Sequence, residues 1–225
     1  NLYEDGTTGR NTCPIHRRII MIVKVCGMRE PDNIRDVEML GIDWIGFIFY
    51  PKSPRFVRDQ AIAKANFVKR VGVFVNASHE QIMETATSFG LDYLQLHGNE
   101  SPDDCYALQK RGYAVIKAIS IYSAEDLEQT KEYEGRVDYF LFDTKCNSYG
   151  GSGQQFDWDI LTTYTGNTPF LLSGGINPGS AAAIRKFRHP LFAGIDLNSG
   201  FESEPGLKDT EKLKDFIETI KTTAI

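Results

Sequence analysis

The sequence predicts a single closed parallel (βα)8 barrel of the TIM-barrel class. Three observations carry this reading. Eight short apolar runs rich in Val, Ile and Phe recur along the chain, amphipathic segments lie between them, and the runs are apolar enough to be covered on both faces. Eight βα units in 225 residues fill one sizeable core and leave no room for a second ordinary domain. The competing fold, an open doubly wound sheet, calls for a glycine fingerprint after its first strand. Val25 is followed by CGMREP rather than GxGxxG.

Strand 1 is expected near 19–25 (IIMIVKV), and Pro31-Asp32 then opens a helix over NIRDVEML. Proline suits that position because the first amide of a helix has no partner to lose. Strands 2 and 3 fall near 44–49 and 70–75, and Ser78 starts the helix HEQIMETATSF. Strand 4 (93–96) leads to Ser101-Pro102 and DDCYALQK, and strands 5 and 6 lie near 114–119 and 139–142. Strand 7 (170–173) precedes Asn177-Pro178 and GSAAAIRKF, and strand 8 runs over 192–197. Each crossover is expected to be helical.

Residues 1–18 break the pattern: they are polar, turn-forming and aperiodic, and their acidic residues argue against an organellar transit peptide. They are read as a flexible N-terminal extension ahead of a barrel domain at 19–225, with Met21 as a natural start.

The formal charge is −5 and the basic residues are scattered, which gives no nucleic-acid footprint. Cys13, Cys26, Cys105 and Cys146 have no CxxC spacing and no flanking histidine pattern, so neither a zinc site nor a disulfide framework is expected. Free thiols point to the reducing cytoplasm. No run approaches the roughly 20 apolar residues that cross a bilayer, so no membrane partner is expected. The polar helix faces do not declare an oligomeric interface.

In a parallel barrel the chemistry sits at the carboxyl ends of the strands. Reading the residues that close each run gives Cys26, the segment Tyr50 to Arg55, Asn76, His97-Gly98, Asp143-Thr144-Lys145, Ser173-Gly174-Gly175, and Asp196 to Gly200. The small residues after strands 7 and 8, Gly174, Gly175, Ser199 and Gly200, would let backbone amides and helix N-termini approach a phosphate. Cys26 and Asp143 could flank one ligand, the thiol taking a proton and the carboxyl giving one. Asp143 can act as an acid only if a covered pocket desolvates it. A small buried hydrophobe and a salt-bridged carboxylate are the plainer readings of the same two residues. The Gly150-Gly151-Ser152-Gly153 stretch lacks the Lys-Ser or Lys-Thr of a nucleotide loop.

Seven ordered blocks then carry a resemblance: KVCGM, GFIFYPKSPRFV, VGVFVNAS, LQLHGNES, FDTKCNSYGGSGQQFDW, LLSGGINP and DLNSGFESEPGLKD. Together, over about residues 20 to 221, they resemble the phosphoribosylanthranilate isomerase family of tryptophan biosynthesis. The resemblance implies a (βα)8 barrel and an Amadori rearrangement of N-(5-phosphoribosyl)anthranilate, with Cys26 as general base and Asp143 as general acid. It also implies that Arg55 grips the anthranilate carboxylate, which a planar guanidinium suits. SGG and DLNSG, through Gly174, Gly175, Asp196, Asn198, Ser199 and Gly200, would hold the phosphate, with the ribose hydroxyls as another partner for Asp196. Asn198 departs from the serine common in the family, and its amide can still donate. CNSYGGSGQQ would be a flap over the substrate. His97 would touch substrate or flap, with a structural histidine as the alternative. The chemistry requires no cofactor and no metal, and the partner expected is a small phosphorylated substrate. The absence of a second glycine cluster disfavours a substrate with two phosphates.

Two other readings remain at this point. One is a Schiff-base barrel enzyme using Lys117 or Lys145. The other is a noncatalytic sensor of a phosphorylated ligand on the same scaffold.

Overall fold

The computed structural model describes residues 21–58, 68–144 and 158–222. Eight parallel strands close into a barrel: β1 (Ile22–Val25), β2 (Trp44–Ile48), β3 (Lys69–Phe74), β4 (Tyr93–Leu96), β5 (Ala114–Ile121), β6 (Tyr139–Thr144), β7 (Phe170–Ser173) and β8 (Phe192–Leu197). β1 pairs with both β2 and β8, matching Lys24 to Trp44 on one side and to Asp196 on the other. All eight expected strands are found. The fold class is the one the apolar runs predict.

Helices α1 (Pro31–Glu38), α2 (His79–Phe89), α3 (Pro102–Lys110), α4 (Thr130–Tyr133), α5 (Ala181–Lys186) and α6 (Thr210–Lys221) cover the outside. Ser78 and Ser101 cap α2 and α3 through reciprocal bonds with Gln81 and Asp104, and Gly90 ends α2 in a left-handed conformation. The expectation of a helix in every crossover is only loosely met. Between β5 and β6 the chain uses a 3-10 segment, Ala124–Gln129, and the single turn of α4; the described part of the β6–β7 crossover is the 3-10 segment Trp158–Thr163. The N-terminal extension, the flap and Lys145 all lie outside the described residues.

Side-chain alternation divides the core in two. Val23 and Val25, Phe140 and Phe142, and Ile195 and Leu197 face the helices in the larger cluster. Trp44, Val71, Ile116, Ala118, Leu141 and Leu171 fill the lower barrel interior. Trp44 stacks on Tyr93 with centroids 4.3 Å apart and meets Tyr139 edge-on.

One device recurs at this lower end. Asp43, Asp92 and Asp138 each directly precede an even-numbered strand. Their amides donate to the carbonyls of Val23, Arg70 and Val115, while their carboxylates accept from the amides of those same residues at 2.7–2.8 Å. Each aspartate thus clips β2, β4 or β6 to the strand before it. β7 and β8 join differently, with the Phe170 amide donating to the Leu191 carbonyl and a register shift between Phe170 and Leu171.

Candidate active site

The upper end of the barrel holds a cavity of about 380 Å³. Its lining includes Cys26, Tyr50, Ser53, Gln95, His97, Asp143, Ser173, Gly174, Gly175, Asp196, Asn198 and Ser199. Cys26 and Asp143, predicted from separate strands, therefore open onto one space. So do the glycines after β7.

Cys26 follows β1, and its position two residues after Lys24 puts both side chains on the interior face. Gly46 on β2 gives the thiol its room, since a Cβ there would lie 2.7 Å from Cys26 Sγ. Burial pushes the Cys26 thiol above its ordinary range, while the Lys24 ammonium pulls the other way. Lys24 is fully buried and donates to Asp196 Oδ1 at 2.7 Å. Burial works against its charge, but Asp196 and Cys26 more than offset this and raise its pKa. Asp196 Oδ2 accepts from the Ser173 hydroxyl at 3.1 Å, so both carboxylate oxygens have protein partners.

Asp143 ends the interior row of β6 and is 9% exposed, in keeping with the covered setting expected of it. His97 Nε2 stands 3.4 Å from Asp143 Oδ2, and Gln95 Nε2 lies 2.9 Å from His97 Nδ1. With the amide nitrogen donating, His97 carries its proton on Nε2, toward Asp143.

At the β7 end, Gly174 has φ +86° and packs so closely on β6 that a Cβ would fall 2.1 Å from the Thr144 carbonyl oxygen. Gly175 has φ +65° with open space beside it. The turns here are shorter than expected. Asn177 caps a 3-10 turn, Pro178–Ser180, and a second 3-10 turn spans Ser199–Phe201. Backbone amides rather than long helix dipoles are thus on offer to an anion. Gly200 is not in the lining; a Cβ on it would meet the Ile176 carbonyl oxygen at 2.2 Å, so it lets the two loops close on each other.

Arg55 also stands outside the lining. Its guanidinium forks onto Glu202, with Nε 2.8 Å from Oε1 and Nη2 2.6 Å from Oε2, and this partner raises its pKa. Asn198 lines the cavity, but its Oδ1 accepts from Lys208 Nζ at 2.9 Å. Lys24, Gln95, Glu202 and Lys208 were not singled out from the sequence. Only Lys24 left a trace there, as the one charge in an apolar run two residues before Cys26.

Lys117 points out of the barrel, on the row of Val115, Ile119 and Ile121. It donates to the Leu96 and Gly98 carbonyls and pairs with Glu100 at 3.1 Å. Glu100 also accepts from the Asn76 and Gly98 amides, so Lys117 and Asn76 serve to clip loops together rather than to reach a ligand. This removes Lys117 as a Schiff-base nucleophile.

A family model described as N-(5'phosphoribosyl)anthranilate (PRA) isomerase matches residues 23–219. The chain belongs to the N-(5'-phosphoribosyl)anthranilate isomerase family. The isomerase named for Parabacteroides distasonis is 65% identical over 211 residues, covering 91% of this chain and 96% of that one. The corresponding protein of Phocaeicola vulgatus is 53% identical, covering 89% and 98%. Among solved structures, the isomerase of Thermotoga maritima superposes with a TM-score of 0.80 at 36% identity, covering 90% of this chain and 99% of that one. Another isomerase structure, in complex with reduced 1-(o-carboxyphenylamino)-1-deoxyribulose 5-phosphate, gives a TM-score of 0.79 at 33% identity over the same shares. A thiamine phosphate pyrophosphorylase at 16% identity and a TM-score of 0.57 shares the fold. Among the described residues, no helix is long and apolar enough to cross a membrane.

Proposed function

We propose that this chain performs its family's reaction with its own Cys26 and Asp143: the Amadori rearrangement of N-(5-phosphoribosyl)anthranilate to 1-(2-carboxyphenylamino)-1-deoxyribulose 5-phosphate, in L-tryptophan biosynthesis. The observation that carries the assignment is the single cavity lined by Cys26, Asp143, Gly174 and Gly175. Asp143 protonates the ribose ring oxygen, and the ring opens to an iminium ion. Cys26, as thiolate, takes the proton from sugar C2; the resulting enolamine tautomerises to the ketone. The net change is a relocation of protons and electrons within one molecule.

The substrate is read as a phosphorylated sugar bearing an anthranilate. Its phosphate lies against the amides of Gly174, Gly175, Ser199 and Gly200 and the Asn198 side chain, and Arg55 takes the ring carboxylate. His97 borders the reacting end. Asp196 is read chiefly as the buried partner of Lys24, because both its oxygens are engaged. The cytoplasm is the compartment that suits a free thiol as catalytic base.

The test is the decay of anthranilate-type fluorescence when the protein meets phosphoribosylanthranilate generated in situ. Rapid decay above spontaneous hydrolysis is expected, falling by about 10²- to 10⁴-fold in Cys26→Ala and in Asp143→Asn. Near-normal turnover in either variant overturns the role given to that residue.

A further inference from the structure

We propose that Glu202 is the positioning residue for Arg55, and that Lys208 and Asn198 tie this carboxylate grip to the phosphate loop. The inference rests on the reading of Arg55 given above and extends it to residues with no role there.

Glu202 follows the 3-10 turn after β8, at the start of a short antiparallel hairpin, β9 (Glu202–Glu204) and β10 (Leu207–Lys208). Its carboxylate is 5% exposed yet stays ionised: burial acts against the charge, but the bonds from Arg55 and Lys208 hold its pKa below the ordinary carboxylate range. It accepts from Arg55 Nε and Nη2, from the Gly206 amide at 3.2 Å and from Lys208 Nζ. A guanidinium has five N–H donors. Glu202 takes those of Nε and one of Nη2, which leaves the Nη1–Nη2 edge, the edge that grips a second carboxylate bidentately.

Gly27 explains where that edge stands. A Cβ there would lie 2.7 Å from Arg55 Cδ and 2.8 Å from Asn198 Oδ1. The Arg55 stem and the Asn198 amide therefore both cross the residue next to Cys26, and Gly27, at φ +77°, is the passage for them. A free arginine at a barrel mouth would lose much of its rotamer freedom on gripping a ligand. Glu202 settles that geometry before substrate arrives.

Lys208 makes the connection. Its side chain is fully buried, and Asn33 holds its backbone from both sides, accepting from its amide at 2.8 Å and donating to its carbonyl at 2.9 Å. The ammonium donates to Glu202 and to Asn198 Oδ1. With Oδ1 accepting from Lys208, Nδ2 is the group left on this cavity-lining residue to donate to a ligand. The asparagine that departs from the family's common serine is thereby oriented by the same lysine that anchors the carboxylate clamp.

The experiment measures inhibition constants for two ligands, reduced 1-(o-carboxyphenylamino)-1-deoxyribulose 5-phosphate and its anilino counterpart without the ring carboxylate, alongside KM and kcat. Arg55→Ala should weaken the first ligand about 100-fold and the second by less than about twofold. Glu202→Gln should weaken the first about tenfold, spare the second, and leave kcat within about threefold. In an Arg55→Ala background it should add nothing. Glu202→Asp, which keeps the charge but withdraws it by one methylene, should fall between wild type and Glu202→Gln, and serves if Glu202→Gln does not fold. A Glu202 variant that weakens both ligands alike, or adds fully to Arg55→Ala, overturns the positioning role alone. An Arg55→Ala that does not distinguish the ligands overturns the carboxylate grip, and this inference with it.

Discussion

Lys24 Nζ lies 2.7 Å from Asp196 Oδ1 inside the barrel, with no part of the Lys24 side chain exposed. The two residues face each other across the β1–β8 pairing, directly beneath Cys26. A buried pair of this kind adds little stability beyond what two apolar residues would, yet breaking it strands a charge. Lys24→Met should therefore cost about 3–5 kcal/mol in urea unfolding. Lys24→Met combined with Asp196→Leu should recover most of that loss. A single variant as stable as wild type would sink the account.

With Cys26 as the proposed base, the pH response of catalysis should follow its burial first and this pair second. Cys26 titrates above its ordinary value of 9.0 because burial outweighs the Lys24 ammonium. The thiolate is then a minor species at neutral pH, and kcat/KM should climb steadily between about pH 7 and 9. Removing Lys24 should carry that limb further into alkali. A profile that is flat over this range would exclude Cys26 as the base.

Stability should move the opposite way. Both folded-state pKa values are raised, so the contribution of Cys26 is complete below 9.0 and that of Lys24 below 10.5, and each is lost as pH rises through its folded value. Unfolding free energy measured from pH 8 upward should decline first in the Cys26 range. Wild type should lose more than Cys26→Ala there.

Gly174 and Gly175 should separate packing from binding. Gly174→Ala would drive a methyl into the Thr144 carbonyl at a positive φ, and should destabilise by about 2 kcal/mol or more. Gly175→Ala meets open space and carries only the φ penalty, about 1 kcal/mol. Its larger effect should be a raised KM. Chemical denaturation with steady-state kinetics on both variants would expose a reversed order.

His97→Phe should lower kcat about tenfold with little change in KM, because it removes the Nε2 group facing Asp143. Gln95→Met should act in the same direction through the His97 tautomer. An unchanged kcat in both would make the Gln95–His97 row structural only.

The strands were legible because each is an apolar run that both layers of the core need, and Cys26 and Asp143 were legible because strand ends point into the mouth. The 3-10 segments at Ala124–Gln129 and Trp158–Thr163 were not, since neither carries several turns of helical apolar periodicity. Arg55 falls in the segment that closes strand 2 and the family resemblance implies its role, but its pairing with Glu202 joins residues 147 positions apart, and no local pattern records such a contact. Gly200 was legible as a small residue in the phosphate loop, but its close approach to the Ile176 carbonyl, which lets two loops meet, is a contact between distant segments that no local pattern records. Lys24 could have been found by alternation alone.

The aspartate clips under β2, β4 and β6 locate the alignment of the strands a full strand length away from the substrate. A slip of one residue there would turn every interior side chain outward, whatever the loops above contain. The mouth can therefore change its contents while the floor keeps count. Of the four odd-to-even strand pairs, β7–β8 is the one without such a clip among the described residues, and its upper loops are the ones proposed to hold the phosphate, where the backbone itself would have to be shaped to the ligand.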